Sequence, residues 1–465
     1  MPTSINPTQI PSSTELSYTP GRGAEQWNQW TLPVDIPVQG GGFTGVDAYY
    51  RFQWYLLDTG TTSSSYNWSV FDTQINDAIS KGQKFSFGIM PLCPGCGANS
   101  IAGHDLHYPV WLHNLMQGEA TPDWVTTNSG SNDWIPNWNS NNYLTAIEQL
   151  CIDVNNHLNN TSFNGIVYAS IINAIDIRGF GSFGEWHSAF IVNTMADYPT
   201  GTAPTIATYK RIVDAHKNGF PNFQLQLMIA IFDGNYLLNT MIDPTVGVYA
   251  LQSSNNVGLF GWRRDSWGDT IDTYLDAYLE NNTRGVPAMN TLIMPRYKVA
   301  PITGEPNNQA TYTGFPAQVP FYGLSRFGNG NNGFTPGANT PSDNFRAASL
   351  AAGYRITITS GSINGKILTL NWSNLGNAPN YENWVATIQL RTGSTVVYQQ
   401  VSSFNPKLFL PGTTTTTDTL TAAPRSSAIA PATHIGATYA LALSVLLPDI
   451  LKNNHILPPL HAIGV

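Results

Sequence analysis

Asp176-Ile-Arg-Gly-Phe-Gly-Ser-Phe-Gly-Glu-Trp-His-Ser188 is the stretch that decides the fold. It follows Gly165-Ile-Val-Tyr-Ala-Ser-Ile-Ile172, an apolar β-branched run that reads as a buried strand. Glycines at 179, 181 and 184 permit sharp turns and close backbone approach. The segment ends in Glu185, Trp186 and His187. A carboxylate between an indole and an imidazole has surroundings that shift a pKa towards catalytic use. A bulged strand end whose glutamate caps a helix is the other reading of the same residues.

Working outward, further strands are predicted over 16–24, 49–58, 84–90, 223–233, 257–265, 292–305 and 319–326. Helical periodicity separates most of them, at 70–81, 143–158, 205–218 and 270–280. Such a series closes most naturally into an α/β fold, a (β/α)8 TIM barrel, over residues 1–341. A doubly wound sheet is the alternative, but no phosphate-binding glycine fingerprint follows a strand. Polar residues recur at the predicted strand ends: Asp58, Asp176 to Glu185, Asp233, Asp265 and Glu305. In a barrel these ends share one face, where active sites are built. The 92–140 insertion carries His104, His107, His113, Trp111, Trp124, Trp134 and Trp138. It is expected to wall the barrel mouth and turn Trp or His towards the pocket.

From residue 342 the pattern becomes strand-only, with alternation over 355–359, 367–372, 384–390 and 396–400. An all-β sandwich is predicted over 342–465, joined by a Gly/Asn/Pro-rich linker at 328–345.

Of the 465 residues only 11 % are charged, with a formal net charge of −8, against a usual charged share of about 25 %. Without a basic face the chain is no nucleic-acid binder. Amides and hydroxyls carry the solvation, which suits a secreted or cell-surface protein. Aromatics at 12 %, including 13 Trp, suit sugar-stacking surfaces as well as core. No transmembrane run is visible, and residues 1–20 lack an apolar signal core. A mature secreted chain and an intracellular one both fit that start; composition favours the first. Cys93 and Cys96 read as a local loop staple or plain thiols, with Cys151 in a helix. No catalytic metal or other cofactor is expected, since no H-E-x-x-H or second C-x-x-C occurs, and a structural calcium in the Asp/Asn-rich loops is the remaining alternative.

With Glu185 after the fourth strand and Glu305 at the seventh, the chain resembles the barrel superfamily of retaining glycosidases. More narrowly, Gly181-Ser-Phe-Gly-Glu-Trp-His187, Arg264-Asp265-Ser-Trp-Gly268, Pro301-Ile-Thr-Gly-Glu-Pro306 and Asn374-Leu-Gly-Asn-Ala-Pro379 are similar to an uncharacterised bacterial family. That family joins a glycosidase-like barrel to a C-terminal β-domain. The resemblance covers most of the chain and implies Glu185 as acid/base, Glu305 as nucleophile and a carbohydrate substrate. The superfamily usually has Asn before its acid/base, to hold the substrate 2-hydroxyl; here Gly184 stands there. It also has a Trp at the end of strand eight, where Arg326, Phe327 and Asn329 occur instead.

A retaining pair needs carboxyl groups about 5–5.5 Å apart, one protonated and one ionised. Trp186 is expected to desolvate Glu185 and raise its pKa, and Arg263 or Arg264 to keep Glu305 ionised. Asp176 and Asp265 then hold the arginines or bind sugar hydroxyls. Trp54, Asp58, Arg178, His187, Asp233 and Arg326 complete the candidate substrate-binding set. Satisfied ion pairs at a barrel rim are the plainer reading of each arginine. Two functions follow: a secreted glycoside hydrolase, or a non-catalytic extracellular protein that binds carbohydrate or self-associates in a surface layer or filament.

Overall fold

The computed structural model describes residues 2–7, 9, 20–27, 47–128, 130–228, 244–268, 291–306, 314–330, 340–392, 395–421 and 439–446. Eight parallel strands run side by side in sequence order. They are β1 (Gly23–Trp27), β2 (Asp47–Gln53), β3 (Phe85–Met90), β4 (Ile172–Ile177), β5 (Leu225–Met228), β6 (Gly261–Trp267), β7 (Ile302–Pro306) and β8 (Arg326–Gly328). β8 pairs back onto β1, and Ser325 N donates to Ile302 O at 2.9 Å just below the β7–β8 seam. The barrel is thus nearly closed, with helices around it, as a TIM barrel requires.

Alternation along each strand explains both faces. On β2, Ala48, Tyr50 and Phe52 face outward and join Phe85, Phe87 and Ile89 of β3 in the main core. Helix α1 (Ser69–Ser80) lays Phe71 across them, 4.7 Å from the Phe52 ring and 5.1 Å from Phe87. Full burial of such a side chain contributes roughly 1.5–3 kcal/mol. The insertion's helix α2 (Val110–Gln117) precedes α3 (Asn141–Asn160) and α4 (Ile206–Gly219). Ser140 and Thr205 cap α3 and α4, their side chains accepting from Tyr143 N and Thr208 N. Helices α5 (Pro244–Gln252), α6 (Phe315–Tyr322) and α7 (Thr340–Ala351) complete the described shell.

Several strands differ from their sequence-based positions; in the second, expected over 49–58, residues 54–57 are helical. Residues 168–171 form a 3-10 turn, and the fourth strand begins only at Ile172. Asn173 and Asp176 set polar positions among Ala174, Ile175 and Ile177, whereas 165–172 is mostly apolar without such a pattern. Residues 294–298 are likewise a 3-10 turn ahead of β7. The 319–322 stretch ends α6, which Gly323 closes in a left-handed conformation.

Beyond the barrel lie two antiparallel sheets. β9 (Ile356–Asn364), β10 (Ile367–Asn374) and β13 (Gly412–Thr419) form one, in which the N-terminal Thr3–Ile5 strand pairs with β9. β11 (Val385–Thr392), β12 (Thr395–Val401) and β14 (Tyr439–Leu446) form the other. Leu368, Leu370 and Trp372 share a buried cluster with Ala386 and Ile388, and Phe404 stacks on Trp372 at 3.9 Å. This β-module sits under the amino-terminal face of the barrel. Tyr381 donates to Tyr297 O at 2.6 Å and Tyr354 to Pro20 O at 2.6 Å.

Among the described residues, no helix is long and apolar enough to cross a membrane.

Candidate active site

The same alternation that turns aromatics outward turns charge inward. Interiors of such barrels are usually filled by branched apolar side chains; here the layers are polar. Near the floor Arg326 pairs with Glu25, and both are buried. Gln226, with its amide oriented to satisfy its neighbours, links Thr303 at 2.8 Å, Arg326 at 3.1 Å and Asp176 at 3.3 Å. Above them Asp176 accepts from Tyr49 at 2.6 Å and pairs with Arg178 at 3.0 Å, with Arg263 at 3.7 Å. The Arg263 guanidinium lies over the Tyr49 ring, 4.1 Å from its centroid. Burial pushes the Tyr49 hydroxyl up to about 12, so it stays a donor at neutral pH.

At the carboxyl ends of the strands, Arg51 of β2 bridges the two glutamates. Its Nη1 is 2.7 Å from Glu185 Oε1 and its Nη2 2.6 Å from Glu305 Oε1. One guanidinium spans both contacts, which places the carboxylates within the ~9.5 Å upper limit for glycosidase pairs. Glu185 also has Arg178 at 3.5 Å and His187 at 3.6 Å, and Glu305 has Arg263 at 3.6 Å. Both glutamates are buried, about 5 % and 4 % exposed.

Electrostatics divide the pair. Burial by itself would raise the Glu185 carboxyl, but Arg51, a hydrogen bond from His187 and Arg178 outweigh it and hold it well below the usual range. Burial pushes Glu305 up to about 8; Arg51 and Arg263 oppose this, while Asp265 and Glu185 add to it. This is the reverse of the expected order, in which Glu185 was the raised carboxyl and Glu305 the ionised one. The reason is that two arginines and a hydrogen bond from His187 converge on Glu185, while Glu305, beside two arginines, also faces two acids.

Gly88 and Gly184 make room for Arg178. A Cβ at Gly88 would meet the Arg178 side chain at 2.4 Å, and one at Gly184 would meet its Cβ at 2.8 Å. Gly184 also has φ of +64°, a left-handed conformation that favours glycine. Where the glycosidase superfamily has Asn, this chain therefore packs an arginine.

Several candidates lie elsewhere. Trp186 is fully buried, donates to Ile177 O at 2.7 Å and packs on Phe180 and Tyr209. It belongs to the core and does not desolvate Glu185 from the pocket side. Trp54 packs on Tyr143 in the same core. Asp58 organises the following turn, accepting from Ser65 N at 2.8 Å and from Trp111 Nε1 at 2.9 Å. Arg326 sits at the floor with Glu25, away from the mouth. Arg264 stacks on Trp267, 4.8 Å from its ring centroid, and Asp265 is exposed beside Glu305. Asp233 lies outside the described residues. Sequence reasoning missed Arg51, Tyr49, Glu25 and Gln226. Their signal was polar residues at alternate positions of apolar strands.

The insertion does stand at the carboxyl-terminal rim, tied there by His107 to Gln53 at 3.1 Å and by Thr126 to Ile191 O at 2.6 Å. Its rings, however, serve its own core. Trp138 packs edge-on against Tyr143 and Phe180, His113 bonds Asp123 at 2.7 Å, and His107 bonds Asp133 at 2.7 Å. Cys93 and Cys96 are disulfide-bonded there, and Cys151 is a free, buried thiol in α3. Among the described residues no group of three or more His, Cys, Asp or Glu is placed to hold a metal ion.

No family profile and no curated protein sequence matches the chain. Among solved structures it is similar to endo-glycoceramidase II from Rhodococcus sp. in a cellobiose-like isofagomine complex, at 12 % identity and TM-score 0.41, over 88 % of this chain and 100 % of that one. The catalytic domain of a β-amylase from Paenibacillus polymyxa is similar at 12 % identity and TM-score 0.41, over 72 % and 99 %. The catalytic domain of the major endoglucanase from Xanthomonas campestris pv. campestris is similar at 11 % identity and TM-score 0.35, over 75 % and 99 %. None of these likenesses bears on the chemistry of the site.

Proposed function

We propose that this chain is a secreted glycoside hydrolase acting on oligosaccharides with Glu185 and Glu305 as its two carboxyl groups. The observation that carries this reading is their joint contact with Arg51 at the carboxyl ends of β2 and β7. The pair titrates as a unit, and in the ligand-free site its proton rests on Glu305. On that basis Glu305 donates the proton to the leaving oxygen. Glu185, kept ionised by Arg51, Arg178 and a hydrogen bond from His187, attacks the anomeric carbon or activates water. These roles are opposite to those the superfamily resemblance implies, and retention remains the favoured stereochemistry. The substrate enters by displacing at least one contact of Arg51, the cation that otherwise occupies the space between the carboxylates.

The same bridge supports a second reading, a non-catalytic carbohydrate-binding or self-associating surface protein, in which Arg51 simply satisfies two buried acids. Gly184 in place of Asn favours it too. The proposal also includes a barrel over 1–341, with α7 packed on it, and a two-sheet β-sandwich over 342–465 that takes in the Thr3–Ile5 strand.

A panel of aryl glycosides separates the readings. Turnover by the native protein, lost in both Glu185→Gln and Glu305→Gln, supports hydrolysis, and NMR of the first-formed anomer shows retention or inversion. Saccharide binding without turnover across the panel supports the second reading.

A further inference from the structure

The barrel floor and the β-module enclose a cavity of about 480 Å³ on the face opposite the two glutamates. Ligand sites commonly span roughly 300–1,000 Å³ and favour the junction between domains. Its walls come from residues at the amino-terminal ends of the strands, among them Lys84, Asn173 and Gln224, and from Glu382 and Lys407 of the module.

Acceptor oxygens converge in it. Glu382 Oε2 takes Lys84 Nζ at 3.1 Å, while Glu382 Oε1 is buried without a hydrogen-bond partner. Asn173 spends its amide nitrogen on Asp47 at 2.9 Å, leaving Oδ1 as an acceptor. Both oxygens lie close to Gly21 on the cavity wall: a Cβ built there would lie 3.9 Å from Glu382 Oε1 and 3.8 Å from Asn173 Oδ1. Gln224 likewise commits its nitrogen to Leu225 O and Leu259 O. A buried acceptor left without a donor costs about 1–3 kcal/mol, so an occupant towards which the partly exposed Glu382 carboxylate turns, and which donates to it, is favoured. Lys84, Lys407 and Arg326 on the same walls disfavour an ammonium ligand. Glu382 and the amide oxygens disfavour a simple anion. A neutral molecule whose hydroxyls both give and accept satisfies every wall.

We propose that this floor cavity binds a neutral polyhydroxylated ligand, a mono- or disaccharide, at a site separate from the glutamate pair. Because its walls belong to both barrel and module, an occupant stabilises their docking by mass action. The site does not depend on the chain being a hydrolase.

Calorimetric titration of the full chain with glucose, galactose, mannose, N-acetylglucosamine and cellobiose tests this, with inorganic phosphate and spermidine as anionic and cationic comparisons. Two variants report on the cavity. Glu382→Gln alters the unpartnered oxygen, and Asn256→Trp fills the space from an exposed rim position. The expected result is one-to-one binding of at least one saccharide, weakened tenfold or more in both variants and retained in Glu185→Gln/Glu305→Gln. A raised unfolding temperature should accompany it. Failure of all five saccharides to bind, binding of phosphate or spermidine alone, or saccharide binding that survives Asn256→Trp would overturn the proposal.

Discussion

Gly184 lies directly against Arg178, so that a side chain at 184 would bring its Cβ to 2.8 Å from the arginine's. The arginine in turn donates to Phe183 O at 2.5 Å and holds Asp176 at 3.0 Å. Introducing asparagine with Gly184→Asn should therefore displace Arg178 and lower stability by about 1–3 kcal/mol. Urea unfolding would measure it, and an unchanged midpoint would show that Arg178 has room to yield.

Replacing Arg51 removes the cation that bridges Glu185 and Glu305. Arg51→Met should lower stability by roughly 3–5 kcal/mol, because an uncompensated buried charge remains. Adding Glu185→Gln and Glu305→Gln to that variant should recover most of the loss. Additive losses in the triple variant would mean that Arg51 acts through packing instead.

Glu305 gives the fold a pH dependence of defined sign. Its folded pKa is raised to about 8 from an ordinary value of 4.5. Between those values the folded state holds a proton that the unfolded chain releases, so this group's contribution to stability falls as pH rises. Glu305→Gln should be the more stable relative to native at pH 8.5 than at pH 5, by an amount on the order of a few kcal/mol. Denaturant midpoints at the two pH values would show it, and equal differences at both would contradict the raised pKa.

Glu185 behaves in the opposite sense. Its folded carboxyl is held below the ordinary range, so its contribution is fully present above the unfolded value and is lost as pH falls through the folded one. Glu185→Gln should cost stability at pH 7 and matter less as acid is added. A variant equally destabilised at pH 7 and pH 2 would point to lost packing rather than lost charge pairing.

If hydrolysis is the reaction and Glu305 its acid, kcat/KM should fall as pH rises through about 8. Glu305→Gln should then slow substrates with poor leaving groups far more than activated aryl glycosides, since only the former need a proton. The converse pattern, with Glu185→Gln selective for poor leaving groups, would restore the roles implied by the superfamily resemblance.

Residue order by itself pointed to the barrel, with Glu185 beyond its fourth strand and Glu305 near the end of its seventh, because alternation and strand-helix spacing are local properties. The same alternation marked the strands that begin at Ile356, although Thr340–Ala351 ahead of them is a helix. Local pattern was also where errors arose: 165–172 is apolar enough for a strand, yet the pairing residues are Ile172–Ile177. Trp54 and Trp186 read as pocket aromatics because composition carries no direction, and the folded chain turns both into the core. Arg51 was hidden inside the aromatic run of β2, and only barrel closure aims its guanidinium at two glutamates far away in sequence. Which glutamate holds the proton was likewise decided in three dimensions. Charge interactions fall off with distance through space, and the cations gathered on Glu185 arrive there from β2 and from the loop after β4.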